Sequence, residues 1–120
     1  MKTKNLVIGR LGEIIAREYL YNKGYKIIAQ NYRNRYAEID LIARDKKVLV
    51  FVEVRTKTSE LFGIPEETLN RKKLERLVRN TEAYVAYQGY KGLYRIDAIC
   101  IVFDQDSKIE RLNHYKDVTF

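Results

Sequence analysis

The sequence predicts one α/β domain around a mixed sheet with flanking helices, its elements in the order helix, three strands, helix, two strands. Two stretches repeat apolar residues at spacings of three and four, and five others are rich in β-branched and aromatic residues. No linker, internal repeat or low-complexity tract divides them. A chain of 120 residues suffices for one core and is short for two, so residues 1–120 are read as a single domain.

The first helix is expected over residues 6–22, where Ile8, Leu11, Ile15 and Tyr19 recur on one face, Asn5 is placed to cap and Gly24 to stop it. Tyr25–Tyr32 reads as the first strand and Asn31–Arg35 as its turn. Glu38–Ala43 and Val48–Lys57, separated by the polar stretch Arg44-Asp45-Lys46-Lys47, form a hairpin. A loop with Gly63 and Pro65 leads to a second helix, about Arg71–Tyr87, capped by Asn70 and ended by Gly89 and Gly92. Leu93–Phe103 is a long apolar strand, and Asp104–Ser107 turns it into a more polar last strand near Lys108–Tyr115.

With 46% hydrophobic and 32% charged residues, the composition is that of a folded soluble domain. No apolar run, Val48–Val52 included, comes near the roughly 20 residues of a membrane-spanning helix. The basic start is interrupted by Arg10 and Glu13 and lacks a cleavage site, and the single Cys100 reads as a reduced core thiol. A cytoplasmic protein without a membrane partner is expected. The net charge of +7 favours an anionic partner, nucleic acid being the commonest.

Side-chain alternation makes the hairpin informative about chemistry. With a loop of Asp45-Lys46, or of Arg44 to Lys47, Ala43 stands opposite Val48. Ile39, Leu41, Ala43, Val48, Val50, Val52 and Val54 then form an apolar face. The other face collects Glu38, Asp40 and Ile42 with Leu49, Phe51, Glu53 and Arg55. Asp40 and Glu53 become diagonal neighbours, roughly 7 to 8 Å apart at the backbone, near enough to grip one cation. Hard oxygen donors with no His or Cys cluster suit Mg²⁺ or Mn²⁺ and disfavour zinc. The competing reading is a surface charge cluster in which Arg55 and Lys57 neutralise the acids.

On the second helix, Arg71, Lys72 and Lys73 crowd the first turn against the helix dipole, an arrangement a bound phosphate would justify. Lys72, Arg76 and Arg79 form a stripe opposite Leu74, Leu77, Val78, Thr81 and Val85, with Lys73 on the border and able to reach inward. An ordinary solvated face offset by Glu66, Glu67 and Glu75 is the alternative. Glu13 is either a third carboxylate of the site or the i,i+4 ion-pair partner of Arg17. Tyr84, Tyr87, Tyr90 and Tyr94 either stack on unpaired bases or pack in the core. His114 has no Ser or Cys partner at a telling spacing and receives no role.

Several segments together resemble the YraN-like family of uncharacterised bacterial proteins over roughly Gly9–Val102. They are Gly9-Arg10-Leu11-Gly12-Glu13, Asn31-Tyr32-Arg33, Glu38-Ile39-Asp40-Leu41-Ile42-Ala43, Val50-Phe51-Val52-Glu53-Val54-Arg55-Thr56, Arg71-Lys72-Lys73 and Arg95-Ile96-Asp97. The resemblance implies a restriction-endonuclease-like, PD-(D/E)XK fold related to archaeal Holliday-junction resolvases. It also implies that Glu13, Asp40 and Glu53 match the helix glutamate, strand aspartate and strand glutamate of the nuclease motif. Lys73 matches the family's lysine at the start of the second helix, and Asp97 falls in its late Arg-x-Asp motif. Arg55 stands at the motif lysine; a guanidinium stays protonated and cannot act as a general base, a role left to Lys57 or Lys73. Ala37 replaces a glycine ahead of the Glu-Ile-Asp segment, which removes easy access to positive φ.

The expected function is a Mg²⁺- or Mn²⁺-dependent endonuclease acting on the phosphodiester backbone of DNA, branched or single-stranded by resemblance. Its site would be Glu13, Asp40, Glu53, Arg55 and Lys73, the three acids holding the metal. Arg10, Lys57, Arg71, Lys72, Arg76 and Arg79 would contact the nucleic acid. The rival readings are a non-catalytic nucleic-acid-binding accessory protein of the same fold and a basic protein-interaction domain, with a homodimer as a candidate assembly.

Overall fold

Every element expected from periodicity is present, and in the expected order, in the computed structural model, which describes residues 2–61 and 63–119, without the side chains of residues 2–5. These are α1 (Lys2–Asn22), β1 (Lys26–Arg33), β2 (Glu38–Asp45), β3 (Val48–Lys57), α2 (Arg71–Gln88), β4 (Tyr94–Phe103) and β5 (Ile109–Tyr115). A short 3₁₀ turn at Pro65–Thr68, which has too few residues to show a period, lies before α2. No described helix is long and apolar enough to cross a membrane. α1 begins ahead of Asn5, whose backbone is helical and whose side chain lies outside the described residues. Asn70 does cap α2, accepting from the Lys73 N–H at 2.9 Å, and Gly89 ends it in the left-handed conformation.

The strands form one sheet in the order β1-β2-β3-β4-β5. Hairpins and meanders make every pair antiparallel except β3 and β4, which run parallel because α2 carries the chain across between them. One face packs on α1 through Ala16, Leu20, Leu41, Val50, Val52, Ile99 and Phe103. The other, with Ile42, Leu49, Phe51 and Ile96, packs on Leu77 of α2. Tyr84 and Tyr94 set edge-on contacts against Phe51, and Tyr90 donates to the Leu93 carbonyl. These three tyrosines therefore make local contacts, although Tyr94 stays exposed, as does Tyr87.

Three local expectations are corrected. The β2–β3 turn is Lys46-Lys47, with Asp45 opposite Val48 and Ala43 opposite Val50. Lys46 supplies the positive φ, 57°, of a two-residue hairpin turn. The pairing thus moves by two residues, which preserves the faces because alternation has period two. Ile39 nevertheless leaves the α1 face: the ladder with β3 ends at Leu41–Val52, and beyond it Ile39 joins the α2-side cluster. The turn after β1 is centred later than expected, where Asn34 Oδ1 accepts from the N–H groups of Tyr36 and Ala37, each at 2.8 Å. Ala37 is buried and does not need positive φ there.

A polar network lies under α1. Asp97, fully buried on β4, accepts from Arg95 Nε at 3.0 Å and the Asp117 N–H at 3.0 Å, and pairs with His114 Nε2 at 2.8 Å. Arg95 reaches Tyr25 Oη at 2.8 Å and Asp45 at 3.4 Å, while His114 Nδ1 meets Tyr19 Oη at 3.2 Å. Burial works to raise the Asp97 pKa, but His114, Arg95 and the Asp117 N–H outweigh it and hold the carboxyl below its usual range.

α1 approaches β3 closely at Gly12, where an added Cβ would run into the Thr56 methyl and meet Val54 Cγ1 at 3.7 Å. A Gly12→Val substitution is expected to lower stability by about 1–3 kcal/mol through overpacking. A thermal melt matching the wild type would count against this contact.

Candidate functional site

Where β2 and β3 part, two acids stand across from each other, one step past the Leu41–Val52 pair rather than on the expected diagonal. Asp40 shares a hydrogen bond with Glu53, and its Oδ2 accepts from the Val54 N–H at 2.8 Å. Burial, then the Glu53 charge, pushes the Asp40 pKa up to about 8, against the pull of the Val54 N–H. Two carboxylates this close, Glu53 buried and Asp40 half-buried, hold a proton or a cation.

Glu53, itself buried, faces two cations: Arg55 Nη1 at 3.1 Å and Lys73 Nζ at 3.2 Å from its Oε2. The charge-pair reading is thus realised for Glu53, though through Arg55 and Lys73. Asp40 has no ion pair among the described residues. Lys73 reaches inward because the Asn70 cap fixes the first turn of α2 over the sheet. Arg55 is fixed from its other edge by Thr68, whose hydroxyl accepts from Nε at 2.7 Å and donates to the Pro65 carbonyl at 2.6 Å. The 3₁₀ turn carrying Thr68 is tied down in turn by Arg111 of β5, which grips Glu66 at 2.7 and 2.9 Å. That grip brings the Glu66 pKa down to about 2 against the opposing effect of burial, with further help from Tyr115.

Glu13 enters from α1. Burial raises its pKa, opposed by a hydrogen bond with Asn31, and the Glu53 charge raises it further. It does not pair with Arg17, which bonds Gln30 Oε1 at 2.9 Å instead. Adjacent strand residues ordinarily point to opposite faces, yet Gln30 and Asn31 both meet α1; Asn31 has φ 51°, a conformation uncommon for a residue with a side chain. Backbone strain of this kind clusters at functional sites.

A cavity of about 260 Å³ contains Glu13, Asp40, Glu53, Arg55 and Lys73 in its lining, together with Arg76. An adjoining cavity of about 530 Å³ shares Glu13 and Asp40 and adds Arg10 and Asn31. Lys57 lines a third cavity with Arg55. Arg71, Lys72 and Arg79 are exposed on α2 outside these cavities, Arg71 bonding Glu75 at 3.4 Å. Among the described residues, no three His, Cys, Asp or Glu side chains are grouped to hold one ion, so the expected three-acid set is not assembled: Asp40 and Glu53 share a hydrogen bond, while Glu13 is coupled to them through charge. Sequence reasoning missed Asn31 and Thr68 as supports of the site. Asn31 is a residue type that tolerates positive φ, but in the sequence this reads as the turn after β1 rather than as part of the site, and Thr68 acts across a loop.

The comparisons with known proteins agree on kinship. The model of the family described as "Uncharacterised protein family UPF0102" matches residues 12–101, which include all five residues of the central cavity named first above. A UPF0102 protein of Caldicellulosiruptor bescii is 40% identical over 112 residues, covering 92% of this chain and 94% of the relative. One from Pelotomaculum thermopropionicum is 38% identical, covering 92% of each chain. One from Persephonella marina is 43% identical over 95 residues, covering 78% of this chain and 82% of the relative. The chain is therefore a member of the uncharacterised protein family UPF0102.

Proposed function

We propose that this protein is a metal-dependent endonuclease of the restriction-endonuclease-like kind, hydrolysing the phosphodiester backbone of DNA. The observation that carries the reading is half-buried Asp40 hydrogen-bonded to buried Glu53, with two cationic side chains converging beside them. The donor chemistry fits Mg²⁺ or Mn²⁺: hard carboxylate oxygens, no His or Cys among the lining residues, and room for the water and phosphate oxygens such ions retain. Asp40 and Glu53 would hold the ion, which when bound supplies charge neutralisation at the phosphate and acidification of water. Glu13 and Asn31 orient the acidic side of the site. Arg55, locked by Thr68, presents a fixed guanidinium to developing phosphate charge. Lys73, whose partner Glu53 would be shared with the ion, is the movable cation and the candidate proton carrier. Arg10, Arg71, Lys72, Arg76 and Arg79 hold the strand's phosphates without reading its sequence.

The test is cleavage of duplex, single-stranded, flap and four-way-junction DNA with Mg²⁺ or Mn²⁺. Asp40→Ala and Glu53→Ala should each reduce cleavage by at least about 100-fold, since even supports of metal ligands are worth 10–100-fold. Undiminished cleavage in both variants would sink the assignment. Arg55, which cannot replace a lysine base, favours a second reading as a binding protein without turnover. Tight, salt-dependent binding of the same DNAs with no product over long incubation would select it.

A further inference from the structure

The third cavity, about 410 Å³, adjoins the carboxylate cavity and shares Arg55 and Thr56 with it. Its lining is chemically different. No carboxylate belongs to it: Arg55 and Lys57 are joined by the hydroxyl-bearing Thr56, Thr58, Ser59 and Thr68. Lys57 is half-buried, yet among the described residues its side chain has neither an ion pair nor a hydrogen bond. An anion in that cavity would give the Lys57 ammonium the partner it lacks. The Ser59 hydroxyl accepts from the Leu61 N–H at 3.0 Å, which leaves its own hydrogen to donate.

The spacing is set by β3. Alternate strand residues share a face, so Glu53, Arg55 and Lys57 follow one another at about 6.6 Å, twice the rise per residue. That interval is comparable to the separation of consecutive phosphates along an extended polynucleotide strand. Arg55 stands between the two cavities with Nε and Nη1 already engaged, and its shared position lets one guanidinium serve the anions on both sides.

We propose that the Lys57 cavity is a binding site for the phosphodiester next to the one at the carboxylates. The ligand is then a strand carrying at least two consecutive phosphates, laid along β3, rather than a mononucleotide. The proposal rests on the nucleic-acid reading above, and its test separates the two.

Binding of the full chain to a fluorescent 12-nucleotide single strand would be followed in EDTA, which prevents turnover, at several salt concentrations. Lys57→Gln should flatten the dependence of log affinity on log salt by about 0.7, the contribution of one phosphate on a single strand. A Thr58→Val, Ser59→Ala double variant should weaken binding without flattening that slope. An unlabelled dinucleotide with two phosphates should compete better against wild type than against Lys57→Gln, while a mononucleoside monophosphate competes equally against both. If Lys57→Gln keeps the wild-type slope and affinity while Arg76→Gln loses both, the subsite is wrong and the nucleic-acid reading stands. If the wild-type chain shows no salt-dependent binding, both fall.

Discussion

Asp97→Ala is expected to destabilise the protein by about 3–5 kcal/mol, because it removes one partner of a buried charge pair and strands the other. Arg95 would lose its Nε contact, His114 its Nε2 partner and the Asp117 N–H its acceptor, all in one substitution. For a domain of this length the melting temperature should fall by roughly 10–20 °C. Asp97→Asn, which keeps the shape and an acceptor, should lose less. The pH dependence has a definite sign. The native carboxyl titrates below its unfolded counterpart, so its stabilisation is complete above the ordinary aspartate pKa and is lost as pH falls through the depressed value. The gap between wild type and Asp97→Asn should therefore narrow on acidification below about pH 4. Melts of the three proteins in series from pH 3 to pH 7 test this, and a gap that stays constant throughout would exclude the carboxylate as its source.

Asp40→Asn should do the opposite and stabilise the metal-free protein. The Asp40 pKa stands at about 8, far above its unfolded value, so folding favours the protonated form. The penalty is absent below about pH 4, grows as pH rises through the window between the two values, and is complete above about pH 8. Asparagine retains an acceptor for the Val54 N–H and a donor for Glu53 without the charge. The expected gain at pH 8 is on the order of 3–5 kcal/mol, vanishing near pH 4. Millimolar Mg²⁺ should raise the melting temperature of wild type at pH 8 and leave that of Asp40→Asn unchanged. A variant no more stable than wild type at pH 8 would overturn the account of this pair as proton-sharing.

The parts of the fold legible in the sequence are those that depend on period. α2 is bounded by Asn70 and Gly89 as expected, and the hairpin faces survive a two-residue error in register because alternation is unaffected by it. The register itself was hidden in the backbone of Lys46, a residue type that does not advertise positive φ. The Asp40–Glu53 pairing was legible from the same alternation, and Lys73 from its border position on α2. Glu13 was not: without the family resemblance its spacing described an ion pair with Arg17 that does not form. Asp97–His114 and Glu66–Arg111 join residues far apart in sequence, with no local pattern to link them. Such pairs are fixed by the parallel step to β4 and the return along β5.

The left-handed Asn31 also bears on solubility. β1 is an outer strand, and an outer strand with regular backbone invites another chain to extend the sheet. Here the ladder to β2 already slips at Ile28, and Asn31 breaks the extended backbone a second time three residues later. Lys26 and Arg33 put charge at the two ends of the strand. The distortion that aims Asn31 at Glu13 thus also spoils β1 as a template, so that guarding against aggregation and shaping the acidic site are performed by the same few residues.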